Sequence, residues 1–262
     1  MKRRLFLIAG MIFASSLFAQ ELTGYEIAKR ADEVDDGKTS SYTATMTLTN
    51  KKGAKRIREI FMRKKDYGDV EKSVIVFTVP KDVAGVAYLS FDYPDKADGS
   101  KEESDSWLYM PAMKKVRRIS GSGKDDEFMG SDFTYADMGE RGLSKDTFTL
   151  LASENVDGAD CWKVEAKAKD KSEKTQRRIL WFRKDNYILA KGEFYDRTDK
   201  LERELSCSDI RQIDGIWTTG KMFMKNVKSG HSTLLETKDV KYNIELSDSL
   251  FTVSAIERGN VR

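Results

Sequence analysis

The feature that most constrains this chain is an alternation. From Tyr42 to Thr49, every second residue (Tyr42, Ala44, Met46, Leu48) is apolar or small, and the others are threonine. A period of two sends alternate side chains to opposite faces of an extended strand, and threonine favours that backbone. Strand-like runs recur at 57–63, 73–79, 161–168, 178–183, 187–195, 201–210, 217–227 and 233–242. Turn-forming residues separate them: Asn50 to Gly53, Asp157-Gly158, Lys184-Asp185-Asn186, Asp196 to Lys200, Asp214-Gly215 and Ser229-Gly230. Short strands joined by tight turns predict an antiparallel meander, mainly β in class with a minor α content.

Charge says how such a sheet is solvated. Charged residues make up 34% of the chain, against roughly 25% in an ordinary globular domain. They crowd the polar positions of the strands, which predicts one face open to water. The apolar face then has few helices to cover it, and needs a lid, a second sheet or a ligand. A helix is expected ahead of the strands. Thr23 and Glu26 form a capping box, Leu22 and Ile27 a hydrophobic staple, and Ala28, Ala31 and Val34 continue an apolar stripe that Gly37 ends. Residues 247–252 predict a short helical turn that packs Leu250 and Phe251 inward.

The N-terminus reads as an export signal. Lys2, Arg3 and Arg4 precede an apolar run from Leu5 to Phe18, and Ala19 offers a cleavage point before Gln20, although Leu17 is bulky for its place. The run is too short and wrongly flanked for a typical membrane span; an uncleaved N-terminal anchor is the alternative. Cleavage predicts a mature chain of residues 20–262, a single β domain without a Pro- or Gly/Ser-rich linker, located in the periplasm. The whole chain has 46 Lys+Arg and 43 Asp+Glu. Losing the three basic residues of the leader leaves 43 of each sign. A nucleic-acid-binding domain usually carries a net basic charge, so that partner is not expected.

Catalytic and metal signatures are sparse. His231 is the only histidine, and it sits beside Gly230 in an expected turn. Cys161 and Cys207 lie far apart in sequence, so no metal-ligand spacing arises and no metal is expected. Export allows these two cysteines to form a disulfide; the alternative is two small buried hydrophobes. Gly121-Ser122-Gly123-Lys124 lacks the upstream glycine and the Ser/Thr of a phosphate loop, and reads as a turn. No nucleophile elbow occurs. The chain is expected to be no enzyme and to need no cofactor.

The least generic stretch runs from Trp107 to Met138. Its first part, Trp107 to Ile119, reads as a pair of strands with apolar and basic faces. Lys114, Lys115, Arg117 and Arg118 form a basic patch, either for a phosphate or lipid headgroup or simply a solvated strand face. Its second part is apolar where a polar connection would be expected. Phe128, Met129, Phe133 and Tyr135 there are read as a lid or gate, with a tucked-in core plug as the alternative. After the leader the chain retains eight methionines, whose flexible thioethers suit a lining that accepts variable chains.

Trp107-Leu108-Tyr109-Met110-Pro111-Ala112, Lys115-Val116-Arg117-Arg118-Ile119 and Phe128-Met129-Gly130-Ser131-Asp132-Phe133-Thr134-Tyr135-Ala136-Asp137 resemble the signature of LolA-like outer-membrane lipoprotein-sorting proteins. Pro80, Gly85 and Leu89 fit the same spacing upstream. The resemblance extends from about residue 40 to the C-terminus. It implies a curved, half-open antiparallel barrel closed by an N-terminal helix and a lid, with acyl chains held in an apolar cavity. It also implies a periplasmic carrier of acylated lipoproteins or lipids, served by inner- and outer-membrane transfer partners. A lipid-sensing regulator on the same fold, like RseB-type partners of anti-sigma factors, is the second reading. The expected lining and lid are Met46, Leu48, Phe61, Leu108, Met110, Phe128, Met129, Phe133, Tyr135, Met222 and Met224. Burying a sixteen-carbon chain there would gain on the order of 12 kcal/mol, at about 0.8 kcal/mol per methylene.

Overall fold

The computed structural model describes residues 22–96 and 102–261, so the expected leader lies outside the described residues. The capping box forms as read. Thr23 Oγ1 accepts the Glu26 amide at 3.2 Å, and the Glu26 carboxylate accepts the Thr23 amide at 2.7 Å. Helix α1 spans Gly24–Asp32 and stops ahead of Gly37, which turns the following loop at φ 79°. Its apolar stripe buries Ile27 against Val164 and Phe182. Gly24 lies so close to the sheet that a Cβ would stand 2.6 Å from the Leu150 amide nitrogen, so this contact admits only glycine.

The strands are β1 (Thr39–Thr49), β2 (Lys55–Asp66), β3 (Glu71–Val79), β4 (Ala87–Asp92), β5 (Asp105–Met110), β6 (Lys115–Ile119), β7 (Asp146–Val156), β8 (Ala159–Ala168), β9 (Thr175–Arg183), β10 (Leu189–Asp196), β11 (Leu201–Ile213), β12 (Ile216–Asn226) and β13 (Ser232–Tyr242). They form one sheet in the order β6-β5-β4-β3-β2-β1-β13-β12-β11-β10-β9-β8-β7. Every neighbouring pair is antiparallel. All the alternating segments read from the sequence are strands. The alternation missed β4 because burial on both faces hides its period, and missed β7 because this edge strand is largely exposed and polar.

The sheet is curved into a half-open barrel. Tyr88 on β4 and Leu180 on β9 line the same cavity, yet eight strand spacings separate them in the sheet order. Laid flat at about 4.8 Å per spacing they would stand roughly 38 Å apart. Both faces carry apolar clusters. On the concave face Ala44, Met46, Leu48, Ile60, Phe77, Leu205, Met224 and Leu235 join one core. On the convex face Val74, Val76, Ala87 and Leu89 are covered by the C-terminal segment through Leu246, Leu250, Phe251, Ala255 and Ile256. The expected helical turn is there, with Leu250 and Phe251 buried. Beyond it a further helix, α2 (Val253–Arg258), is capped by Thr252 and stopped by Gly259 at φ 71°.

Candidate functional site

Between β6 and β7 the chain crosses the concave face, and this crossing builds the site. It begins as a small hairpin. The Phe128 amide donates to the Phe133 carbonyl at 2.7 Å, and the Tyr135 amide to the Asp126 carbonyl at 3.1 Å. Met129 and Gly130 turn the hairpin at φ 53° and 70°, a reversal that Gly130 makes without strain. Phe128 inserts fully buried among Phe77, Tyr88 and Tyr135, with ring centroids 5.3–5.8 Å apart. These distances suit tilted and edge-to-face aromatic packing. Burial in this cluster pushes the Tyr88 hydroxyl up to about 12.

Polar staples fix the hairpin to the sheet. Arg58 donates to the Met129 carbonyl. The buried Asp132 carboxylate accepts the Thr233 hydroxyl at 2.7 Å and lies 2.7 Å from His231 Nδ1, while the Asp132 amide donates to Thr233 Oγ1 at 3.0 Å. Arg203, rising buried from β11, donates to the Asp132 carbonyl at 3.1 Å and pairs with the Asp137 carboxylate. Its guanidinium lies over Phe194 at 4.8 Å. The crossing ends on a second clamp, where Arg141 grips Asp146 through two bonds of 2.6 and 2.7 Å and reaches Glu173 at 2.9 Å. Burial works against the Arg141 charge, but Asp146 and Glu173 outweigh it and raise its pKa. Arg178 joins the same carboxylates, and its own burial lowers its pKa.

Beside the hairpin the concave face is left uncovered by α1, and a cavity of about 330 Å³ remains. Its apolar wall comprises Phe133, Tyr135, Leu180, Leu189, Phe194, Leu205, Met222 and Met224. Its rim carries Asp92, Lys124, Glu140, Arg141 and Lys145. Gly139 completes the rim where a Cβ would fall 2.7 Å from the Asp92 carboxylate.

The expected site residues divide accordingly. Phe133, Tyr135, Met222 and Met224 line the cavity. Met46, Leu48, Leu108 and Phe128 are buried in the same concave core, with Met110 and Met129 packed against it, but none of these six borders the cavity. In this state the Phe128 end is a plug, and the far end, from Phe133 onward, forms a cavity wall.

Phe61 corrects the expectation. It lies on the convex face with Val76, under the C-terminal segment, because its neighbours Ile60 and Met62 hold the concave positions of β2. A one-residue choice of register changes the face. Lys114, Lys115, Arg117 and Arg118 are exposed on the β5–β6 hairpin and edge strand, and Arg118 pairs with Asp105, which fits the solvated strand face. The cysteines are both buried and free. They stand on strands three places apart in the sheet and in clusters on opposite faces, so no disulfide can join them. Burial pushes the Cys207 thiol up to about 12.

The sequence reading missed Leu180, Leu189, Phe194 and Leu205 as lining, and Arg203, Arg178 and Arg141 as clamps. The alternation of β10 and β11 carried the signal for Phe194 and Leu205. Nothing local marked the arginines, whose partners are up to 71 residues away. Elsewhere the carboxylates of Asp36, Glu71 and Glu140 gather within 4.8 Å of one another. Lys64 bonds the first two, and burial pushes the Glu71 carboxyl up to about 7.

Comparisons with known proteins agree with this architecture. A family model described as an uncharacterized protein matches residues 69–258. No curated protein matches. A DUF1329 family protein from Desulfovibrio piger has 34% identity, covering 89% of this chain and 97% of its own, with a TM-score of 0.83. A domain from Vibrio parahaemolyticus, named for outer membrane lipoprotein sorting, has 32% identity, covering 90% and 98%, with a TM-score of 0.82. A LolA superfamily protein from Nitrosomonas europaea shares the fold at 22% identity and a TM-score of 0.68, covering 89% and 99%. With better than 30% identity over nearly the full length of a solved member, the chain belongs to the DUF1329 family, on the LolA-like fold.

Proposed function

We propose that this chain is an exported carrier without catalytic activity. It holds acyl chains of lipoproteins or lipids in the concave-face cavity and passes them toward the outer membrane through the periplasm. The observation that carries this reading is an apolar cavity walled by Leu180, Leu189, Phe194, Leu205, Met222 and Met224 in a chain whose other surfaces are heavily charged. The name of the Vibrio parahaemolyticus domain supports the same reading.

At about 330 Å³ the cavity is near the lower end of the roughly 300–1,000 Å³ found for ligand pockets. It takes part of a chain as it stands. A longer cargo is accommodated by rotation of Met222 and Met224, and by lifting the crossing segment off the β9–β12 half of the face. The staples at Asp132 and Asp137 set the cost of that lift. The test is displacement of a fluorescent sixteen-carbon fatty acid from delipidated protein. Leu180→Glu and Met222→Glu place a charge in the wall at half-buried positions that tolerate it. Both are expected to weaken uptake at least tenfold. Unchanged uptake in both variants contradicts a chain in this cavity.

A further inference from the structure

The cavity has a polar neck, and two of its lysines form no ion pair among the described residues. A second, outer basin of about 580 Å³ adjoins the apolar cavity, and the two share Lys124, Ala136, Arg141 and Lys145. Anything entering the apolar part from that side passes these residues. Arg141 is already neutralised by Asp146 and Glu173. Lys124 and Lys145 are different. The Lys124 ammonium is half-buried and, among the described residues, bonds only the carbonyl and hydroxyl of Ser104, at 2.5 and 2.6 Å. Lys145 makes no ion pair among the described residues. Of the carboxylates nearby, Asp105 holds Arg118 and Asp137 holds Arg203, while Asp92, which accepts the Ser90 hydroxyl at 3.2 Å, and Glu140 line the cavity beside the lysines. Glu103 and Asp125 also line the outer basin, without an ion pair among the described residues.

Burial lowers the Lys124 pKa; among the neighbouring charges the pull of Glu103 exceeds the repulsion of Lys145, and Asp92 and Asp105 add to that pull. A half-buried ammonium without an ion pair is costly in the empty protein, and an anion held between it and Lys145 offsets that desolvation with charge-assisted hydrogen bonds. Resting on the carrier reading, we infer that the neck recognises the anionic head of an amphiphile: Lys124 and Lys145 hold a carboxylate or phosphate while the attached acyl chain lies along Leu180, Phe194 and Met222. The geometry favours an anionic head over a neutral one because, among the described residues, no carboxylate forms an ion pair with either lysine, and Glu103, Asp92 and Asp105 attract Lys124 only from further away.

The test uses three probes with the same sixteen-carbon chain: palmitate, hexadecyl phosphate and hexadecanol. Affinities are measured by displacement on the delipidated full chain. The wild type is expected to bind at least one anionic probe ten-fold or more tighter than hexadecanol. The stronger of palmitate and hexadecyl phosphate then tells a fatty-acid source from a phospholipid source. The Lys124→Gln/Lys145→Gln variant is expected to lose that preference and keep its affinity for hexadecanol, which also shows that it is folded. A Lys51→Gln/Lys52→Gln variant removes the same charge from the exposed β1–β2 turn, which lines neither basin, and is expected to keep the preference. Equal wild-type affinities for the charged and neutral probes, or a preference that survives in the Lys124/Lys145 variant, overturn the headgroup site and leave the carrier reading standing. Failure of all three probes to bind overturns the carrier reading, and the headgroup site with it.

Discussion

Arg203→Met removes the staple between the sheet and the crossing segment while keeping an apolar stem over Phe194. The arginine is 7% exposed and donates to both the Asp132 carbonyl and the Asp137 carboxylate. Breaking one side of a buried ion pair costs about 3–5 kcal/mol. Here the lower end applies, because the Asp137 side chain is 21% exposed and still accepts the Thr134 amide at 2.7 Å. A loss of about 3 kcal/mol corresponds to a fall in Tm of roughly 6–12 °C for a domain of this size. The segment should loosen before the sheet does. Hydrogen exchange followed by mass spectrometry is therefore expected to show peptides spanning 132–138 losing protection in Arg203→Met, while β1, β2 and β13 keep theirs. A double-mutant cycle with Asp137→Asn isolates the pair, and a coupling of about 1.5–3 kcal/mol is expected for a charged, largely buried hydrogen bond. Additive single effects, or unchanged exchange across 132–138, would refute the claim that this pair holds the segment down.

Other outcomes follow from neighbouring features. Phe128→Ala empties a fully buried position inside an aromatic cluster and is expected to cost about 3–5 kcal/mol in urea unfolding, whereas a flexible exposed gate would lose almost nothing. Both cysteines are expected to react with a thiol reagent in denaturant and neither in the native protein; fewer than two thiols in denaturant without reductant would mean a disulfide. Glu71 binds a proton more tightly folded than unfolded, because burial raises its pKa from 4.5 to about 7. Its contribution to stability is complete below pH 4.5 and disappears as the pH rises through 7. The wild-type Tm should therefore fall between pH 5 and 8 by more than that of Glu71→Gln, and parallel pH profiles for the two proteins would remove Glu71 as the cause.

The fold was legible in the sequence where one face of a strand meets water. β1 announced itself because threonine alternates with Ala44, Met46 and Leu48 along a half-buried strand. β4 did not, because both of its faces are covered, one by the aromatic cluster and the other by the C-terminal segment. The same limit placed Phe61 on the wrong face. Alternation says that two faces exist, and says which residues share one, but not which face is concave. The site was half legible. An apolar connection from Phe128 to Tyr135 was visible as an anomaly between strands, and it does sit on the concave core. The clamps were not visible, since Arg203, Arg178 and Arg141 find their carboxylates only once the sheet has curved. The polar residues within the connection gain their meaning from this. Asp132 and Asp137 anchor the segment to β11 and β13, and Gly130 provides its turn.

The central claim is that an acyl chain lies between the crossing segment and strands β9 to β12. Photocrosslinking a diazirine-bearing sixteen-carbon fatty acid to the protein, followed by peptide mapping, tests it most directly. The account predicts adducts on Leu180, Leu189, Phe194, Leu205, Met222 or Met224, competed away by unlabelled fatty acid. Adducts confined to the convex face beneath the C-terminal segment, or labelling no stronger than in denatured protein, would contradict it.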